Sequence, residues 1–171
     1  MDTRDFFRLL SLLLDYPDEE VYTFVVENEP PTTGVDTVDR ELAKFWEFYR
    51  SKTLNELREY YVANLDFGKK TNLYITYHRY GDNRKRGGAL ASLKEIYQES
   101  GFDIGSNELP DYLPVILEFA ALGDFERALK ILEDYSAELQ KMKKHFSEAG
   151  NPYGHLLVAL DEYLKTLKVQ K

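Results

Sequence analysis

The chain has no cysteine among its 171 residues. That absence excludes a disulfide framework, a thiolate zinc site, an iron-sulfur cluster and a cysteine nucleophile. Histidine is almost as scarce. His78, His145 and His155 fall on three separate predicted segments with no ligands at metal spacing, so each reads as a surface or satisfied core histidine. Long apolar runs are missing too. Leu9-Leu10-Ser11-Leu12-Leu13-Leu14 is far shorter than the ~20 residues of a spanning helix, and Asp2, Arg4 and Asp5 do not make a signal-peptide start. The expectation is a soluble, cytoplasmic protein with no direct membrane insertion. Positive charge is short overall: a net charge of −8 argues against nucleic acid, whose phosphates reward dense Lys and Arg.

Catalytic signatures are absent as well. Gly81-Asp82-Asn83-Arg84-Lys85-Arg86-Gly87-Gly88 looks at first like a phosphate loop, but it lacks the Gly-Lys-Ser/Thr ending that holds phosphate and magnesium. No GxGxxG follows a strand, and there is neither an HExxH pair nor a GxSxG nucleophile elbow. Thirty acidic residues supply carboxylates everywhere, yet no pair stands out as acid and base. Nothing positive supports an enzyme, and the expectation is a protein without catalytic activity or a metal site.

What is present is helical periodicity. The length suits one domain over 1–171, large enough to bury a core without staples. Apolar residues recur at steps of three and four, beginning with Phe6, Leu9, Leu10, Leu13 and Leu14. Tyr16-Pro17 ends that helix and Pro17 opens a second, through about Asn28. Pro30-Pro31-Thr32-Thr33-Gly34 is the clearest loop. A third helix is predicted over 36–51, and Thr53 with Glu56 predicts a capping box for a fourth. Residues 72–77 have β-branched and aromatic content, but a lone strand would lack a partner, so a short helix interrupted at Gly81 is predicted. Asp82 is expected to cap the next helix through Ser100, with Gly101 as its left-handed terminator. Residues 103–109 read as a loop, followed by a helix from near Pro110 to Gly123. Asp124 should cap one long helix with a buried stripe from Phe125 to Phe146, and Asn151-Pro152 starts the last. The sum is an all-α single globular bundle of about eight or nine helices. Residues 117–141 resemble one tetratricopeptide-type hairpin, but a single copy cannot bury a repeat core, so local helix-turn-helix packing is the better reading.

Two features remain unexplained by core formation. Residues 69–94 hold seven cations against Asp82 alone, a window of +6 on a remainder of −14. The bland explanation is a solvated helix face. The 24 aromatic residues include Tyr60, Tyr61, Tyr74, Tyr77, Tyr80 and Tyr112, which crowd near the polar motifs. They either brace helices or line a groove for an amphipathic helix. The exposed ones would serve equally a partner protein or a second copy of the chain, so a homodimer stays open.

The motifs themselves are Tyr77-His78-Arg79-Tyr80-Gly81-Asp82-Asn83-Arg84-Lys85-Arg86-Gly87 and Glu108-Leu109-Pro110-Asp111-Tyr112-Leu113-Pro114. With Asp66-Phe67, Thr71-Asn72-Leu73 and the N-terminal Phe7-Arg8-Leu9-Leu10-Ser11-Leu12-Leu13-Leu14-Asp15-Tyr16-Pro17-Asp18, their order resembles the NarJ family of nitrate reductase assembly chaperones, within the TorD/DmsD-like redox-enzyme maturation proteins. The resemblance implies a TorD/NarJ-like helical fold with no prosthetic group. It implies binding to the N-terminal leader segment of a molybdoenzyme catalytic subunit, nitrate reductase or a relative, which is held until it receives molybdopterin guanine dinucleotide. By the same resemblance Tyr77, His78, Asp82, Arg84, Arg86, Glu108, Pro110, Asp111, Tyr112 and Pro114 border the client-peptide surface. Glu108 and Asp111 would meet basic client residues, Tyr77 and Tyr112 would form apolar walls, and Pro110 would aim them. Arg84 and Arg86 would contact carboxylates on the client or within the fold, or approach the phosphates of the incoming cofactor. Tyr112 departs from the histidine common in relatives at that place, so no imidazole role carries over. The alternative to such a chaperone is a generic helical protein-interaction adaptor.

Overall fold

A computed structural model of the chain describes residues 1–105 and 107–169. Its described residues form ten α-helices and one π-helical turn. In chain order these are α1 (Thr3–Leu14), α2 (Glu19–Glu27), α3 (Asp36–Arg50), α4 (Leu54–Tyr61) continued by a π-turn (Val62–Asp66), α5 (Ile75–Tyr80), α6 (Lys85–Glu99), α7 (Leu113–Leu122), α8 (Phe125–Asp134), α9 (Ser136–Glu148) and α10 (Gly154–Val169). The all-α expectation holds, with one helix more than the upper count. None of the described helices is long and apolar enough to cross a membrane.

Buried apolar side chains form one contiguous cluster from Phe6 to Tyr163. α7 lies near its centre, because nearly every residue from Leu113 to Ala121 is buried. α1 packs chiefly on α7, α3 on α10, and α8 on α7. Phe6 stacks on Tyr163 with ring centres 3.9 Å apart, tying the first helix to the last.

Local sequence explains most boundaries. Asp18 accepts the Val21 amide at 2.8 Å and so caps α2 one residue after Pro17. Thr53 and Glu56 exchange both bonds of the capping box. Gly101, at φ +66°, terminates α6 as expected.

Four expectations are corrected. First, residues 72–77 do have an extended partner: Tyr74 forms an isolated antiparallel bridge with Tyr112, through Ile75 N–H to the Asp111 carbonyl (3.1 Å) and Leu113 N–H to the Leu73 carbonyl (2.8 Å). Helix α5 therefore begins only at Ile75. Second, the same bridge keeps residues 110–112 extended, so α7 starts at Leu113 and not near Pro110. Third, Asp82 does not cap α6. It lies in a turn closed by Asn83 N–H to the Tyr80 carbonyl (3.0 Å), and Asn83 Oδ1 accepts the Lys85 amide instead. Fourth, the long helix after Asp124 breaks at Tyr135. Arg79 donates to the Asp134 carbonyl at 2.6 Å, the acceptor that a continuous helix would offer to the amide four residues on. The expected loop 103–109 is irregular at its described residues, with Ser106 outside them.

Candidate functional site

The bridge between Tyr74 and Tyr112 joins the two motifs, and a buried carboxylate locks the joint. Asp111 has no solvent exposure. Its Oδ2 accepts from the Thr76 hydroxyl, from the Thr76 amide (3.2 Å) and from Arg86 Nη2 (3.2 Å). Arg86 also donates to Thr76 Oγ1 at 3.0 Å and lies 5.6 Å from the centre of the Tyr77 ring. The charge of Asp111 is thus met inside the fold, where a buried ion pair with several hydrogen bonds fixes geometry. Asp111 Oδ1 is buried with no hydrogen-bond partner. Of the alternatives for Arg86, the carboxylate contact within the fold is the one present.

On the other side of the bridge stands a tyrosine pair. Tyr61 donates to the Leu14 carbonyl at 2.8 Å, and the Tyr112 hydroxyl lies between the Tyr61 hydroxyl and Asp15 Oδ1 (3.1 Å), with one proton to share between them. Burial pushes the Tyr112 and Tyr61 phenols far up, so both stay neutral. Asp15 keeps solvent contact, but side chains packed around its carboxyl raise its pKa, with repulsion from Glu118 and Asp18 adding to the rise. Glu108, half-buried, is raised likewise by desolvation and then by Asp15 and Asp111. Tyr74 holds it with a 3.2 Å hydrogen bond. Asp66, set by the π-turn, is raised by desolvation and by Asp15. The described hydrogen bonds engage Oδ1 of Asp15 and Oε1 of Glu108, leaving the face acidic.

Two shallow cavities flank the Tyr74–Tyr112 wall, whose rings lie 5.1 Å apart. One, about 310 Å³, is lined by Ser11 and Leu12 of α1, Glu118 of α7, and Asp15, Glu108 and Tyr112 from the segments that flank them. The other, about 240 Å³, is lined by Asp66, Phe67, Tyr74, Tyr77, Arg86 and Leu109. Phe67 is 79% exposed and Leu109 41%, so the mouth of the second offers apolar surface beside carboxylates. No group of three or more potential metal ligands occurs among the described residues.

The expected site residues therefore divide. Tyr77, Arg86, Glu108, Tyr112 and Pro114 line the cavities. Asp111 and Pro110 are buried behind them, Pro110 accepting the Tyr97 hydroxyl at 2.7 Å, while the Pro114 carbonyl accepts Ser11 Oγ at 2.8 Å. His78 is a satisfied core histidine whose Nε2 meets the Asn72 carbonyl at 2.9 Å, and burial lowers its pKa. Asp82 and Arg84 are exposed at the α5–α6 turn and line neither cavity. Asp111 as a contact to client cations is corrected by its burial. Arg79, in the first motif, grips both oxygens of Glu138 at 2.9 Å and stacks 4.1 Å from the Tyr135 ring centre. Of the window's seven cations, Arg79 and Arg86 are thus paired within the fold, Arg79 from an exposed position, and Lys69, Lys70, Arg84, Lys85 and Lys94 are exposed. Sequence reasoning missed Thr76, Glu118 and Arg8. Arg8 pairs with Glu118 across α1 and α7. The only signal was that Arg8, Ser11 and Asp15 follow one another at helical steps beside an otherwise apolar face.

Comparison with known proteins agrees with this architecture. A redox enzyme maturation protein from Archaeoglobus fulgidus shares the fold at a TM-score of 0.69, 20% identity, and coverage of 96% of this chain and 95% of that one. The Bacillus subtilis protein named as the nitrate reductase molybdenum cofactor assembly chaperone NarJ is 37% identical over 167 residues, 96% of this chain and 91% of its own length. The Escherichia coli chaperone of the same name is 28% identical over 152 residues, 86% of this chain and 64% of that protein. The family model described as nitrate reductase delta subunit matches residues 28–159. With most of its length matched, the chain belongs to the nitrate reductase delta subunit family.

Proposed function

We propose that the protein is a system-specific chaperone for the catalytic subunit of a molybdoenzyme, with nitrate reductase as the first choice of client, and that it binds the subunit's N-terminal segment. The single observation that carries this reading is the acidic, aromatic-walled face built on the Tyr74–Tyr112 bridge. Carboxylates of Asp15, Asp66, Glu108 and Glu118 stand beside Phe67, Leu109 and Leu12. Such a face suits an amphipathic helix with basic residues: apolar anchors enter the cavities and cations meet the carboxylates. The relatives' names point to the same class of client.

In this reading the protein acts in the cytoplasm by occupancy alone, with no prosthetic group and no turnover. It keeps the apo-subunit accessible until molybdopterin guanine dinucleotide is inserted. Tyr77, Arg86, Tyr112 and Pro114 shape the surface, Glu108 contacts the client, and Asp111, Pro110 and His78 hold the surface in place. Asp82 and Arg84, together with the exposed lysines, stay available to a later partner in assembly or to the phosphates of the cofactor.

Calorimetric titration with a synthetic peptide of the client's N-terminus tests the proposal. The expected result is saturable binding with a negative heat-capacity change, as apolar burial requires. Absence of heat and of any spectroscopic change at millimolar peptide would overturn it and leave the generic adaptor reading.

A further inference from the structure

Beside the break at Tyr135, helices α8, α9 and α10 surround a cavity of about 360 Å³ that shares no residue with either motif. Its size falls in the range of small-molecule sites, roughly 300–1,000 Å³. Helix α8 ends at Asp134 and α9 begins at Ser136, so the two diverge there. Arg79 ties the break to α5 through the Asp134 carbonyl, the Tyr135 ring and the Glu138 carboxylate, none of which lines the cavity. The bend is fixed by contacts that leave the space free.

Seven leucines from the three helices line the cavity, and Leu129, Leu164 and Leu167 among them are only half-buried by the chain itself. An apolar occupant would cover them. On α10 the lining positions Leu157, Leu160, Leu164 and Lys168 follow at steps of three and four, so one face of the helix runs along the space. From Leu157 to Lys168 the helix rises about 16 Å at 1.5 Å per residue, so the volume amounts to a channel of about 20 Å² in section. A helix with its side chains is about 10–12 Å wide and does not enter such a channel. A single extended alkyl chain does.

Charge sets the head group. On the rim, Asp161 already meets Lys143 at 2.6 Å, Lys165 at 3.0 Å and Gln140 Nε2 at 2.6 Å, and Glu133 has Lys130 at 3.9 Å. Lys168, in the last turn of α10, has no ion pair among the described residues. The charge left to offer is therefore positive, opposite to that of the face carrying Asp15, Glu108 and Glu118.

We propose that the cavity between α8, α9 and α10 binds a soluble single-chain anionic amphiphile of the fatty-acid class, with its alkyl chain along the leucines and its carboxylate at Lys168. The inference is independent of the client reading. A basic peptide would bring its cations against Lys165 and Lys168, which like charges disfavour.

The test is calorimetric titration of dodecanoate, below its aggregation concentration, into the unsubstituted chain and into Leu164→Trp, which fills the channel, and Lys168→Glu, which reverses the charge at its end. Each variant is first shown to be folded by circular dichroism. The expected result is saturable one-to-one binding to the unsubstituted chain, weakened at least about tenfold by Leu164→Trp, 1.4 kcal/mol per tenfold. Lys168→Glu should weaken it about threefold or more, with the loss larger at low salt. Dodecyltrimethylammonium, with the same chain and the opposite charge, should bind more weakly than dodecanoate. No saturable binding of dodecanoate, equal binding of the cationic probe, or undiminished binding by either folded variant would overturn the inference. Should a variant fail to fold, spin-labelled dodecanoate decides on the unsubstituted chain: broadening of the leucine methyl signals at 129, 132, 160 and 164 supports the cavity, and broadening confined to residues 9–13 and 21–24, or to 66–77 and 108–112, contradicts it.

Discussion

Glu108 and Asp111 are three residues apart in one motif and have opposite surroundings. Asp111 is wholly buried, with Thr76 and Arg86 converging on one oxygen. Glu108 stands at a cavity wall beside Asp15, held by Tyr74 and its neighbouring amide. The same carboxylate chemistry thus serves architecture in one place and an outward electrostatic face in the other. What decides between them is the extended pairing of 73–75 with 111–113, which turns Asp111 toward α5. A motif that resembles a recognition signature is in this case largely a frame that holds the acidic face in place.

The largest effect that would sharpen this contrast belongs to Asp111→Ala. Removing one member of a buried pair leaves Arg86 facing Thr76 without its counter-charge, an expected loss of about 3 kcal/mol. Urea unfolding measures it, and a loss below about 0.5 kcal/mol would place Asp111 with the surface carboxylates. Arg79→Ala comes next. It strands the buried Glu138 carboxylate and frees the Asp134 carbonyl, for an expected loss of about 2 kcal/mol.

That second contact carries a pH dependence of known sign. The hydrogen bonds from Arg79 hold the Glu138 carboxyl below its ordinary 4.5. Its stabilisation is therefore complete above about pH 4.5 and lost as pH falls through the lower folded value. The stability difference between the unsubstituted chain and Arg79→Ala should narrow over that acidic window in denaturant titrations, and a difference independent of pH would show that packing on Tyr135 dominates.

Asp15 and Glu108 behave oppositely, since desolvation raises both. Ionised, they oppose the fold, so stability rises as pH falls through their folded pKa values toward the unfolded ones. Affinity for a cationic peptide should decline over the same interval, beginning above the range of ordinary carboxylates. Calorimetry across pH 4 to 7 checks this, on the order of the reference carboxylate range and above. Smallest of all is the stability effect of Glu108→Gln, expected within about 0.5 kcal/mol because the side chain sits at a solvent-facing wall. A loss matching that of Asp111→Ala would erase the distinction between the two regions.

Much of the helical frame was legible in the sequence because its signals are local. The Thr53–Glu56 box, Gly101 and the apolar steps of α1 and α10 each depend on neighbours within a turn. The failures were non-local. Nothing near residues 72–77 announces that their extended partner lies some forty residues later, and without that pairing the start of α7 cannot be placed. The helix after Asp124 breaks at Tyr135, where Arg79, from a distant segment, takes the Asp134 carbonyl. The site suffered in the same way. The resemblance pointed to this segment, and burial separates Asp111 and Pro110, which lie behind the cavity wall, from Glu108, which lines it. Asp15 and Glu118 complete the acidic face from other helices and became recognisable only once α1 was seen against α7.

The central claim is that the carboxylates at the mouth, and not the buried one behind them, recognise the client. The most direct measurement is calorimetric titration of the client's N-terminal peptide into the Asp15→Asn/Glu108→Gln double variant beside the unsubstituted chain, with thermal melting of both. The account predicts at least about tenfold weaker binding, 1.4 kcal/mol or more, with a melting temperature unchanged or raised. Equal affinity in a folded double variant would contradict it.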